Sequence, residues 1–305
     1  MEINNNLPEI ELGRVNLLPL VKQVEFGYYL AGAVRGHREE ILLPKGEVLD
    51  DLSQKALEIP DEGVGDVIPV FIYLDQEERL IATMRQPLAE VGGFACLEVA
   101  WVNNFGAFLN WGLQKDLFVP FREQKQKMQK GRRYVVHVHL DPETYRIIAS
   151  AKVERWLINP LDSDAYDYSQ RPRVGDEVEC LVWQKTDLGF KVIVNNTFAG
   201  LLYDSQIFRE LHAGDTTRAY ISKVREDGKI DLILQKPGHK GVEDFSSALL
   251  EHIRKNGGYT PVCDKSPAED ISSIFGVSKK VFKKAVGDLY RQRLITIQSD
   301  GLHLV

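Results

Sequence analysis

Two groups of residues in this chain have types and spacings suited to chemistry. Phe105 and Phe108 bracket Gly106-Ala107. Two similar stretches, Phe26-Gly27-Tyr28-Tyr29-Leu30 and Leu188-Gly189-Phe190-Lys191-Val192, place Tyr29 and Lys191 at the position of Phe108. A ring held outward beside a glycine is suited to stacking on unpaired bases, because every base offers a π-face. The second group is Lys279, Lys280, Lys283, Lys284 and Arg291, spaced to share one side of a helix. Lysines in such a row read the charge of a phosphate backbone, whereas discrimination among bases usually uses Arg, Asn or Gln. Plainer roles stand beside these: Phe105 as an end cap, Phe108 as a contact between modules, Lys191 as a solubilising charge, and the helix as a protein-binding surface.

Bond-making chemistry is not indicated. His37, His137, His139, His212, His239, His252 and His303 show no ligand spacing with Cys96, Cys180 and Cys263. His137 and His139 share one strand face, where two histidines more often pack than bind metal. No phosphate-cradling Gly loop and no nucleophile elbow occurs. The expectation is a protein that is not an enzyme and takes no metal or cofactor.

The elements that must position these residues are repeated. The three Gly-containing stretches begin at 26, 105 and 188, so they lie 79 and 83 residues apart. Each is followed by an apolar run, Ile41-Leu42-Leu43-Pro44, Leu117-Phe118-Val119-Pro120 or Gly200-Leu201-Leu202-Tyr203. Each copy then continues from Gly65, Gly131 or Gly214 into a long alternating segment of period two, the mark of half-buried strands. About five short strands closed by hairpins describe a small barrel of the OB type. Alternation turns Ala107 and Leu109 inward and Phe108 and Asn110 outward.

After Lys236-Pro237-Gly238 the period changes. Apolar residues from Phe245 to Asn256 form a helical stripe, Pro267 to Phe275 a second helix, Gly276 a turn, and Ser278 the N-cap of a third. In that third helix Phe282, Ala285, Val286 and Leu289 form the apolar stripe, with the basic residues on the neighbouring face. A terminal hairpin, Ile295-Thr296-Ile297 and Leu302-His303-Leu304, completes a winged helix-turn-helix. The fold class expected is therefore mainly β and multidomain. It has three tandem five-stranded barrels at 1–86, 87–158 and 159–238, the last preceded by a polar linker at 159–168, and an α+β winged helix at 239–305.

Charge separates the copies. Residues 1–85 hold 8 Lys/Arg against 16 Asp/Glu, net −8, and residues 86–158 hold 10 against 7, net +3. Residues 159–240 hold 11 against 13, net −2, and residues 241–305 hold 9 against 8, net +1. A polyanion would avoid the first module, which points to a structural or partner-facing role there. Around the second copy Lys115, Arg122, Lys125, Lys127, Lys130, Arg132, Arg133 and Arg146 form a dense positive set. Three scattered cysteines fit a reducing compartment, and neither a signal sequence nor an apolar span of membrane length is evident. The expected location is cytoplasmic.

The Phe-Gly-Ala-Phe core at 105–108, with its apolar strand and late hairpin, resembles the S1-like RNA-binding domain of the ribosomal protein. The three-copy arrangement ending in Ser278-Lys279-Lys280-Val281-Phe282-Lys283-Lys284-Ala285-Val286-Gly287-Asp288-Leu289-Tyr290 resembles the conserved virulence factor B (YitL-like) family of bacteria, along essentially the whole chain. Lys115-Asp116-Leu117-Phe118-Val119-Pro120 is, with the Lys-rich helix, the most specific part of the likeness. The resemblance implies a cytoplasmic, non-catalytic RNA-binding regulator of gene expression. Single S1 domains usually carry a His after the apolar run; here that position reads Leu43, Val119 or Tyr203, so only Tyr203 keeps a ring. Binding is then expected to be shared between modules.

The expected partner is single-stranded RNA, held by Phe105, Phe108, Lys115, Arg132, Arg133, Arg146, Lys191, Tyr203, Lys279, Lys280, Lys283, Lys284 and Arg291. The acidic first domain is expected to face the ribosome or another protein, and no membrane is involved. The competing functions are a DNA-binding transcription regulator resting on the winged helix and a ribosome-associated interaction scaffold.

Overall fold

The computed structural model describes residues 7–49, 65–162, 164–204, 207, 210–234 and 239–305, with the side chains of 168 and 239–244 excepted. The first six residues and the Lys236-Pro237-Gly238 break lie outside this description. The chain divides into two units, 1–156 and 157–305.

The first unit holds two closed five-stranded barrels. One is built from β1 (Val15–Val24), β2 (Gly27–Val34), β3 (His37–Pro44), β4 (Val67–Leu74) and β5 (Leu80–Thr83). The other is built from β6 (Phe94–Val102), β7 (Gly106–Asn110), β8 (Leu117–Pro120), β9 (Arg133–Leu140) and β10 (Ile147–Ser150). In each, the fifth strand sits between the third and the fourth, and a parallel third–fifth pairing closes the barrel and removes free edges. Alternation works as the period of two requires: Ala107 and Leu109 are fully buried, Phe108 half-buried and Asn110 exposed.

The two barrels share core. Phe71 and Tyr73 of β4 pack into the hydrophobic cluster of the second barrel, where Phe71 meets Trp111 edge-on at 5.7 Å. Such a pair adds about 0.5–1.5 kcal/mol beyond the area it buries. Beside it Glu47 is buried but satisfied: it accepts hydrogen bonds from Thr83 (2.6 Å) and Gln114 (2.8 Å) and pairs with Arg85 (3.3 Å).

The second unit contains a third barrel of the same strand order, from β11 (Glu177–Thr186), β12 (Gly189–Val194), β13 (Phe198–Tyr203), β14 (Thr216–Val224) and β15 (Ile230–Ile233). The polar stretch at 159–168, expected to be a linker, packs on it. Ile158 bridges to Phe198, and the Tyr166 ring stands edge-on to Phe198 at 4.9 Å while its hydroxyl donates to the Pro160 carbonyl. Composition alone hid this, because one aromatic among acids anchors the segment.

The winged helix follows as α1 (His239–Lys255), β16 (Tyr259–Thr260), α2 (Ala268–Phe275), α3 (Lys279–Arg291), β17 (Ile295–Ile297) and β18 (Leu302–Leu304). Ser278 caps α3 by accepting from the Val281 amide at 3.2 Å, and Gly276 ends α2 in the left-handed conformation. The third strand of the small sheet, β16, was not expected from the sequence; two residues carry too little periodicity to register. Within α3, Phe282, Ala285, Val286 and Leu289 are buried. Gly287 interrupts the helix interior at a cost of about 1 kcal/mol relative to Ala.

Candidate nucleic-acid interface

A single rule positions the aromatic residues. In all three copies a glycine opens the second strand, Gly27, Gly106 or Gly189, and faces the end of the third strand. A Cβ there would fall on the carbonyl oxygen of Leu43, Val119 or Leu202, so only glycine permits the approach. The residue before it stands out in solvent: Phe26, Phe105 and Leu188 are all exposed, Phe105 at 73 %. Asn103 fixes the turn that presents Phe105, its side-chain oxygen accepting from the Phe105 amide (2.8 Å) and the Gly106 amide (3.1 Å).

Two residues beyond the glycine, each copy sets three side chains in a row across its first three strands. In the first barrel the row is Lys22, Tyr29 and Leu42, and in the third it is Gln184, Lys191 and Leu201. In the second it is Trp101, Phe108 and Phe118. Here the rings form a continuous stack. Trp101 and Phe108 lie parallel, with centroids 3.7 Å apart and planes at 2°, and Phe118 tilts against Phe108 at 4.9 Å. The Trp101 indole N–H donates to Asp116 at 2.9 Å, which fixes the ring, and Trp101 remains 42 % exposed.

Phe108 is therefore the middle of the row rather than a free platform. Trp101 and Phe105 offer the accessible ring surface. Sequence reasoning missed Trp101 because strict alternation points it inward. A register shift between Val99 and Trp101 turns it out, and the same shift lies between Leu20 and Lys22 and between Val182 and Gln184. Lys22 and Gln184 were the available signal: a polar residue at a nominally inward place, repeated in two copies.

The row opens into a groove of about 820 Å³ in the first unit, lined by Phe105 and the row and walled by charged residues of both barrels. Four carboxylates, Glu78, Asp116, Asp141 and Glu143, face three cations, Lys115, Arg122 and Arg146. Within the groove the positive set expected around the second copy is thus offset, although outside it Lys127, Lys130 and Arg132 form no ion pair among the described residues. Lys115 donates to the Asp75 carbonyl (2.7 Å), and burial pushes its pKa down. Arg146 pairs with Glu78 (2.5 Å), Arg122 with Asp141 (2.9 Å), and Lys125 with Glu154 (2.6 Å). Arg133 donates to the Cys96 carbonyl (2.9 Å), while Arg132 is exposed with no ion pair among the described residues. Lys115 and Arg146 act here as ties between barrels, which their spacing could not reveal.

In the third barrel Lys191 lies over the Trp183 ring at 5.1 Å. Tyr203 is held through its hydroxyl by Arg225 and Asp231. Tyr203 faces Gly189 as Pro44 faces Gly27 and Pro120 faces Gly106. The residues equivalent to Tyr203 are thus the two prolines, one place beyond the Leu43 and Val119 expected from the sequence.

His137 and His139 do share a face, buried against Trp156, which stacks on His137 at 4.3 Å and meets His139 at 4.2 Å. Burial, with the neighbouring His139, pushes the His137 pKa down to about 4, and burial also lowers that of His139. Among the described residues no group of three or more His, Cys, Asp or Glu could hold a metal ion, and no helix is long and apolar enough to cross a membrane.

On α3, Lys280, Lys283 and Lys284 form no ion pair among the described residues, Arg291 pairs with Asp288, and Lys279 reaches the Lys265 carbonyl at 3.5 Å. This basic face is solvated and open.

Tandem OB-type barrels followed by a winged helix place the chain among multidomain proteins built from S1 and winged-helix modules. Residues 12–85 match the S1 domain and residues 247–304 match the CvfB-like winged helix domain. Along most of its length the chain is similar to YitL of Bacillus subtilis (strain 168), 27 % identical over 92 % of this chain and 89 % of that protein. It is also similar to conserved virulence factor B of Staphylococcus aureus (strain N315), 24 % identical over 86 % of this chain and 87 % of that protein. The likeness to the conserved virulence factor B (YitL-like) proteins thus extends through the barrels and the winged helix. A solved multidomain protein with nucleic acid binding domains from Streptococcus pneumoniae TIGR4 is 22 % identical, covers 96 % of this chain and 98 % of its own, and superposes with a TM-score of 0.41.

Proposed function

We propose that this protein is a non-catalytic binder of single-stranded RNA that regulates gene expression after transcription. Bases stack on the second barrel while phosphates run along α3. The observation that carries this function is the Trp101–Phe108–Phe118 row, which opens beside exposed Phe105 into a groove of about 820 Å³. Because the groove's charges nearly cancel, its contribution is stacking, worth about 1–3 kcal/mol per base. The salt-sensitive contribution falls to the open lysines of α3, and Arg132, Lys191 and Tyr203 take at most supporting contacts. The match to an S1 domain and the presence of a winged helix support a nucleic-acid ligand.

Fluorescence anisotropy with a labelled single-stranded RNA tests this on the full chain. Trp101→Ala with Phe105→Ala should weaken binding about 10- to 100-fold at every salt concentration. Alanine at Lys279, Lys280, Lys283 and Lys284 should instead flatten the dependence of log K on log salt by about 3, at roughly 0.7 per phosphate contact. Unchanged affinity in both variants would overturn the proposed path. The unpaired lysines of α3 also suit duplex DNA, and competition by duplex that exceeds competition by single-stranded RNA would favour a transcription regulator.

A further inference from the structure

Gly287 sits in the interior of α3, where the helix has no use for it. A Cβ added there would meet nothing within 4 Å, so no neighbour in the fold demands glycine. It is not at the C-terminus, which is capped at Gln292, and its φ is not positive. At 3.6 residues per turn it lies roughly 150° from the stripe of Phe282, Ala285, Val286 and Leu289 that faces the core. The residues surrounding it on the outer face are Lys280, Lys283, Lys284 and Arg291, at positions i−7, i−4, i−3 and i+4, and the exposed Tyr290 at i+3. The outer face therefore carries a half-exposed stretch of backbone without a side chain, bordered by Tyr290 and four cations, three of them without an ion pair among the described residues.

We infer that Gly287 is a docking notch in which the phosphodiester backbone of RNA seats against α3 more closely than any side chain would permit, an inference that rests on the RNA-binding function proposed above. Close approach matters because the attraction between a lysine ammonium and a phosphate rises as distance shrinks and water leaves. Removing the Cβ there lets the backbone phosphate settle within reach of Lys280, Lys283 and Lys284 together. The helix gives up stability at this position in exchange for that approach.

The signature is a pair of opposite effects from one methyl group. In the full-length protein Gly287→Ala should raise the melting temperature of the winged-helix transition by about 2–6 °C, as a Gly→Ala change does at a helical position. The same variant should weaken binding to a fluorescein-labelled single-stranded RNA of mixed sequence about fivefold or more, and Gly287→Gln should weaken it further. Lys283→Ala with Lys284→Ala is measured alongside. If Gly287→Ala binds as tightly as the wild type while the lysine variant binds poorly, the notch is wrong and the basic face stands. If neither variant loses affinity but Trp101→Ala does, RNA does not cross α3 and both ideas about this helix fall. If the wild type itself does not bind the RNA, the proposed function fails, and the notch with it.

Discussion

The second and third barrels have the same strands in the same order, the same glycine against the same carbonyl, and the same register shift in the first strand. They differ in what stands in the row those shared features create. Trp101, Phe108 and Phe118 stack in one, whereas Gln184, Lys191 and Leu201 occupy the other. The first barrel falls between them, with Tyr29 in the middle and the Lys22 ammonium 5.9 Å from its ring. The comparison teaches that the scaffold and the ligand surface are separable. Backbone constraints fix where three side chains must project, and residue choice then decides whether that place can bind a base.

The comparison can be broken in several ways. The largest effect should come from the seam between the first two barrels: Trp111→Ala should destabilise the first unit by about 3–5 kcal/mol, read by denaturant unfolding. Next, Gly27→Ala, Gly106→Ala and Gly189→Ala should each cost their own barrel about 1–3 kcal/mol, because each Cβ meets a carbonyl oxygen. Three similar losses would establish the scaffold as common; one neutral substitution would break that equality. The rows should then prove unequal, with Phe108→Ala reducing RNA affinity about tenfold and Tyr29→Ala or Lys191→Ala less than threefold in titration.

The last effect is one of acidity, and near neutral pH it is absent. His137 titrates near 6.5 in the unfolded chain and about 4 in the fold, so the unfolded state takes up the proton first. Stability should be level above about pH 6.5 and fall as the pH drops towards about 4, and His137→Phe should flatten the fall in thermal melts. A slope that survives the substitution would assign the effect to another group.

Much of this was legible in the sequence, for identifiable reasons. The repeat, the outward Phe108 and the apolar stripe of α3 follow from periodicity, which depends only on neighbours along the chain. Trp101 did not follow, because one inserted residue reverses every face beyond it. The ties of Lys115 to Asp75 and Arg146 to Glu78 did not follow either, since their partners lie 40 and 68 positions away and belong to another copy of the repeat. Charge counted by module treats the cations of the second copy alike, where the folded chain has paired Arg122, Lys125 and Arg146.

The shared core of the first two barrels has one further consequence. The first barrel has a core of its own around Leu18, Leu30, Ile41 and Ile72, but the second completes its interior with Phe71 and Tyr73 of its neighbour, and Glu47 bound to Gln114 ties the two. Residues 7–156 should melt in one transition, with calorimetric and van't Hoff enthalpies that agree for the pair and exceed what a single barrel would give. The stretch that the sequence duplicates is thus shorter than the stretch that folds cooperatively. A cut at the repeat boundary near residue 86 should leave the second fragment unstable until the first is supplied, since it loses Phe71 and Tyr73 from its core.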